Sequence, residues 1–232
     1  MRIRCSRQTN QGLTLVEAVV VVFVIAFLVM LLLPEAFYSP HRGGQRTSCV
    51  NNLKQLGLAV KVWSGDNNDR FPMEVSVTNG GVMEWMNTPD AWKTFQVISN
   101  EASTPKIYYC PEDFKCGRSA TNFTDDLKAR VSYFIGVNAK DTNPTMLLSG
   151  DDNFLLNESP VKPGTVSVTS PAQLAWDETR HGTVKQRWFR RDKKIGSGCL
   201  LFTDGSVQGV LDSGLTNCLG QTGLATNRLV IP

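Results

Sequence analysis

Two hydrophobic patterns organise this chain of 232 residues. The first is a block. From Leu13 to Leu33 every residue is apolar except Thr14 and Glu17, and Ala18 to Leu33 is unbroken. A helix of 21 residues rises about 1.5 Å per residue and spans roughly 30 Å, the hydrocarbon thickness of a bilayer. The block therefore predicts a transmembrane or assembly helix over 13–33. The second pattern is a stripe. Between Cys49 and Trp63, Val50, Leu53, Leu56, Val60 and Trp63 recur every three or four residues, while Asn51, Asn52, Lys54, Gln55 and Lys61 fall largely on other faces. That period predicts an amphipathic helix packed on a sheet. Pro34, Pro40, Gly43 and Gly44 lie between the two patterns, and each discourages helix. A kinked junction is expected over 34–48, with a bend at Pro34.

Beyond residue 64 the pattern shortens to strand length. Cys199–Thr203, Asp204-Gly205 and Ser206–Val210 read as a hairpin, because Asp-Gly readily takes the positive φ angles of a type I′ turn. Ile107–Cys110, Val131–Val137, Thr145–Leu148 and Gln173–Trp176 are further strand candidates. The fold class expected is α+β: a long N-terminal hydrophobic spine helix, broken between Pro34 and Gly44, packed on a small antiparallel sheet with long loops. The head would occupy 49–232.

Charge then orients the block. Arg2, Arg4 and Arg7 precede it without any acid, which keeps that end cytoplasmic and sends the rest outward. A removable secretory signal has a shorter apolar region ending in small residues; this run ends in Leu31-Leu32-Leu33-Pro34-Glu35. Glu17 is the exception inside the block. A carboxylate deep in a membrane helix costs about 2.5–3.5 kcal/mol and calls for a partner. Cleavage after Gly12 would supply one, a free amine on Leu13 one turn away. The simpler reading is that Glu17 favours the positive end of the helix dipole.

Gly12-Leu13-Thr14-Leu15-Val16-Glu17, behind a basic leader (1–12) and ahead of an apolar run, resembles the processing signal of type IV pilins and type II secretion pseudopilins. The resemblance implies cleavage between Gly12 and Leu13 by a prepilin peptidase, N-methylation of Leu13, a docking role for Glu17 during assembly, and a helix kink at Pro34. Leu13 departs from the commoner Phe. Cys49-Val50-Asn51-Asn52-Leu53-Lys54-Gln55-Leu56-Gly57, Tyr109-Cys110-Pro111-Glu112-Asp113, Ser132-Tyr133-Phe134-Ile135-Gly136 and Phe202-Thr203-Asp204-Gly205 resemble a planctomycete and verrucomicrobial group of pseudopilin-like proteins. Many of its members carry a histidine nine residues before the Asp-Gly. Here His181 lies much further upstream, behind a basic insert from Lys185 to Lys194, and receives no role.

These likenesses imply a non-enzymatic subunit of a type II secretion pseudopilus or a type IV pilus-like filament. It would be single-pass in a bacterial inner membrane, with a cytoplasmic N-terminus and a periplasmic head. Its partners would be the peptidase, the membrane and other subunits meeting along the N-terminal helix. The alternative is a membrane-anchored extracytoplasmic domain that binds or processes polysaccharide.

The remaining chemistry excludes more than it offers. Without the leader arginines the chain balances 21 basic against 21 acidic residues, so nucleic acid is not an expected partner. No Gly-x-Ser-x-Gly elbow, Walker loop or His-Glu-x-x-His is present. Asp125-Asp126, Asp151-Asp152 and Asp177-Glu178 read as solvated loop acids. Calcium is conceivable at Asp66-Asn67-Asn68-Asp69 or Asp151-Asp152-Asn153, which offer hard oxygen ligands without EF-hand spacing; Asx turns explain them better. No cofactor and no metal are expected. The aromatics Trp85, Trp92, Tyr108 and Tyr109 read as packing residues. In an exported domain thiols oxidise, so Cys110–Cys116 and Cys199–Cys218 are candidate disulfides, with Cys49 free.

Overall fold

The structure is a computed structural model that describes residues 14–36, 41–169, 174–178, 180–181, 183–187 and 190–232. It divides into two units, 1–41 and 42–232. The first contains one described helix, α1 (Leu15–Ala36). Its start is capped. Glu17 accepts the Thr14 backbone N–H at 3.0 Å and the Thr14 hydroxyl at 2.9 Å, while the Glu17 N–H reaches back to Thr14 Oγ1 at 3.3 Å. Thr14-Leu15-Val16-Glu17 is thus a reciprocal capping box, and the two Thr14 bonds hold the carboxyl below the ordinary glutamate range.

The second unit is α+β. Its main sheet has six antiparallel strands in the order β10-β9-β2-β1-β11-β5. They are β1 (Tyr133–Gly136), β2 (Leu147–Asp151), β5 (Gly164–Val168), β9 (Ser197–Phe202), β10 (Val207–Leu211) and β11 (Asn227–Ile231). A three-stranded sheet joins β3 (Phe154–Leu156), β4 (Ser159–Pro160) and β6 (Leu174–Trp176), and β7 (Thr183–Arg187) pairs with β8 (Arg190–Ile195).

Alternation along the strands feeds two cores. Tyr133, Ile135, Leu148, Leu201 and Val230 face one, where Leu53, Leu56, Val60 and Trp63 of helix α2 (His41–Asp66) pack. Phe134, Leu147, Leu200, Phe202, Leu229 and Ile231 face the other, covered by Phe154, Trp176 and by Leu215 and Leu219 of α5 (Asp212–Gln221). Helix α2 lies close on β9: a Cβ on Gly57 would stand 2.9 Å from Leu201 Cδ1. Two short helices, α3 (Lys93–Val97) and α4 (Ser99–Ala102), complete the α2 side.

Several expectations are corrected. The long apolar spine packed on the sheet is absent, because the helix on the sheet is α2. Among the described residues no helix is long and apolar enough to cross a membrane. Between Glu17 in the first turn of α1 and Pro34 in its last lie 16 residues, about 24 Å of helix. That is short of the roughly 30 Å hydrocarbon core. The single-pass inner-membrane placement with a periplasmic head therefore falls, as do the pseudopilin and secretion-system assignments that depended on a span.

The broken stretch at Pro40–Gly44 is also revised. Pro40 lies outside the described residues, and α2 already begins at His41 and runs through Gly43 and Gly44. The two glycines cost about 1 kcal/mol each, which the packed later turns carry. Ile107–Cys110 is no strand; a 3₁₀ turn occupies Pro105–Tyr108. The β9–β10 hairpin forms, but only Gly205 has a positive φ, 84°. Its N–H donates to Phe202 C=O at 3.0 Å. The connection is therefore a longer loop closed by a left-handed glycine, not type I′.

Candidate functional site: a buried cluster of charge and sulfur

Four turns and strands converge at one edge of the α2-side core. Cys110-Pro111-Glu112-Asp113 follows the 3₁₀ turn and is held by the Asp113 N–H donating to Cys110 C=O at 2.8 Å. Asp151-Asp152-Asn153 closes β2. Arg180-His181 leads towards β7, and Cys199 sits within β9. Cys49 arrives from α2 and forms a disulfide with Cys110, Cα–Cα 5.1 Å.

Arg180, 2 % exposed, is the electrostatic hub. Its guanidinium lies 2.6 Å from Asp113, 2.7 Å from Asp152 and 3.8 Å from Asp151, and donates to Ser132 C=O at 2.9 Å. Burial pushes Asp152 up to about 6, against the pull of Arg180. Burial also raises Asp113, but Arg180, with hydrogen bonds from Ser132, Cys116 and the Lys115 N–H, outweighs it and leaves that carboxyl below its ordinary value. Breaking such a buried pair leaves an uncompensated charge and costs about 3–5 kcal/mol.

His181 is held on three sides. Its backbone N–H donates to Glu112 at 2.8 Å, and its C=O accepts from the Ser197 hydroxyl. Its φ of 53° is left-handed, a strained setting for histidine that these bonds fix. The ring Nδ1 lies 2.9 Å from the Glu112 carboxylate. Nε2 faces Asp151 Oδ2 and Cys110 Sγ, each at 3.3 Å. Asp151 Oδ2 in turn accepts the Cys199 N–H at 2.7 Å. Desolvation pushes the Cys199 thiol up to about 12. A cavity of about 300 Å³, lined by Glu112, Asp113, Phe114, Lys115, Asn153, Asp177 and Arg180, shares Glu112, Asp113 and Arg180 with the cluster.

Sulfur, imidazole and carboxylate stand in line here as Cys110, His181 and Glu112. Cys110 Sγ is engaged in the disulfide and Cys110 is fully buried, so the line presents no nucleophile to a substrate. Its ion pairs tie the turns at Asp113 and Asp152 to Arg180.

The residues singled out in the sequence fare unevenly. Gly12 and Leu13 lie outside the described residues. Glu17 caps α1, and Pro34 falls two residues before that helix ends. Cys110 pairs with Cys49 and not with Cys116; Cys116, Cys199 and Cys218 are free. Nearness in sequence misled, because α2 carries Cys49 across the sheet edge to Cys110. Asn68 and Asp69 adopt positive φ, as turn residues do. Asp126 accepts from Arg118, Arg130 and the Thr121 N–H, which hold it well below the carboxylate range. Tyr108 and Trp92 are buried, and Trp85 stacks under the Lys93 ammonium at 4.6 Å.

His181, given no role above, is central. The basic insert that spoiled its spacing is the β7–β8 hairpin. Asp204 follows His181 by 23 residues, and Thr183–Ile195 accounts for 13 of them, leaving ten. Looking past that hairpin would have pointed to His181; nothing in the sequence marks Arg180. No family model, characterised protein or solved structure matches this chain.

Proposed function

We propose that this chain is a structural subunit that works by assembly, not chemistry, and that α1 is the element through which copies associate. One observation carries the reading. From Leu15 to Met30 the helix is apolar on every face except at Glu17, and its side chains are exposed: Leu15 81 %, Phe23 72 %, Met30 71 % and Ile25 55 %. A helix apolar all round is stable only when covered, and a continuous apolar surface of this extent marks an interaction site. Other copies of α1 would cover it, with Glu17 and Thr14 capping each helix at a common level. The head has its own two cores and needs no partner to bury them. The prepilin-type signal at Gly12–Glu17 adds a maturation step, cleavage after Gly12.

The test is N-terminal peptide mass spectrometry on the full chain co-expressed with a prepilin peptidase. The expected product begins at N-methylated Leu13. A product beginning at Met1, with the peptidase active on a control prepilin, would remove the maturation step and the resemblance on which it stands.

A further inference from the structure

Five metal-ligating side chains, Cys49, Cys110, Asp151, His181 and Cys199, meet in a core where polar groups are costly. The disulfide occupies two of them. The other three each offer a ligand atom outside the disulfide: a carboxylate oxygen of Asp151, a ring nitrogen of His181 and Cys199 Sγ all lie within 4.8 Å of one another. We propose that Asp151, His181 and Cys199 form a binding site for one divalent cation of the zinc class, with the Cys49–Cys110 disulfide intact.

Carboxylate, imidazole and thiolate together select a borderline-soft divalent ion over calcium or magnesium. Three protein ligands leave a fourth position for water. The separation is already suitable. Tetrahedral zinc with bonds near 2.0–2.1 Å holds nitrogen and oxygen ligands about 3.3–3.5 Å apart, and His181 Nε2 stands 3.3 Å from Asp151 Oδ2. Asp151 and Cys199 are fully buried and His181 is 5 % exposed, so their positions are set by packing. Glu112 Oε2 stands 2.9 Å from Nδ1, on the side where a carboxylate stands behind a metal-bound histidine.

Charge favours the ion as well. Asp113, Asp151 and Asp152 surround the single guanidinium of Arg180, and Glu112 lies against the His181 ring. Asp151 Oδ1, in addition, has no hydrogen-bond partner. Binding releases one proton, from the Cys199 thiol, and the resulting thiolate and the Asp151 carboxylate neutralise the dication. The disulfide takes no part, so no reductant is consumed.

The experiment is a Co²⁺ titration of the full chain, oxidised and without reductant, followed by absorption spectroscopy. One equivalent should produce tetrahedral d–d bands and a thiolate-to-cobalt charge-transfer band, both abolished by Zn²⁺. Cys199→Ser should lose the charge-transfer band. Glu112→Gln, which leaves all three ligands in place, should weaken binding about 10–100-fold. Circular dichroism on each variant shows that its fold is kept. Three results would overturn the proposal: folded oxidised protein that gives no bands, a charge-transfer band that survives Cys199→Ser, or bands that need a dithiol to open Cys49–Cys110 first. The last would move the site to Cys49, Cys110 and His181.

Discussion

Helices α1 and α2 are alike in length, 22 and 26 residues, and opposite in fate. The first is apolar at nearly every position and exposed. The second carries Lys54, Gln55 and Lys61 among its apolar residues, yet buries Leu53 completely and Leu56, Val60 and Trp63 nearly so. Hydrophobic content does not decide burial within a chain; arrangement does. A stripe matches one sheet face and leaves the other face to water. A helix apolar all round has no face to leave to water. The head carries two cores of its own.

The largest way to sharpen the contrast is at the charge hub. Arg180→Met leaves Asp113, Asp151 and Asp152 buried without their cation. It should lower the head's unfolding free energy by about 5 kcal/mol in a urea titration. A loss under about 1 kcal/mol would mean the cluster is solvated and the head less self-sufficient than described.

Next comes the stripe itself. Leu53→Ala should cost about 3 kcal/mol, from lost burial and the cavity it leaves. Leu58→Ala, on the same helix but 65 % exposed, should change stability by less than about 0.5 kcal/mol. Equal effects at the two positions would break the comparison outright.

A smaller effect follows from pH. Folded Asp152 titrates at about 6, above an unfolded carboxyl near 3.9. Between these values the folded chain holds a proton that the unfolded chain releases. Stability therefore falls as pH rises from about 4 to 6, by about 3 kcal/mol at most, and stays at the lower level above. Asp113, held below its ordinary value, acts in the opposite sense and loses its contribution as pH drops below about 4. Asp152→Asn should flatten the decline between pH 4 and 6 in equilibrium denaturation.

Much of the head was legible for reasons these elements show. The Val50–Trp63 stripe marked α2 because one of its faces meets water. The β9–β10 hairpin stood out because Asp204-Gly205 interrupts two short runs. Its turn type did not, since Asp204 keeps a negative φ and only Gly205 turns over. Strand alternation was hidden in β1: Tyr133–Gly136 is buried on both faces, so every position reads as apolar or small. The capping box was written in Thr14-Leu15-Val16-Glu17, and Glu17 was weighed for membrane pairing instead.

The site was the least legible part. Its carboxylates appear in the sequence as ordinary loop acids. Only the sheet brings Glu112, Asp151 and Cys199 to Arg180 and His181, and the β7–β8 hairpin stretches the interval that would have drawn attention to the histidine.

The central claim, that α1 joins copies while the head stands alone, is tested most directly by sedimentation velocity. The full chain is compared with a variant in which Val20, Val24 and Phe27 are replaced by Ser, with head stability measured in parallel. The account predicts that the full chain sediments as oligomers, and that the variant sediments as a monomer whose head unfolds within about 0.5 kcal/mol of the parent. A monomeric full chain with α1 intact, or oligomers that persist unchanged in the variant, would contradict it.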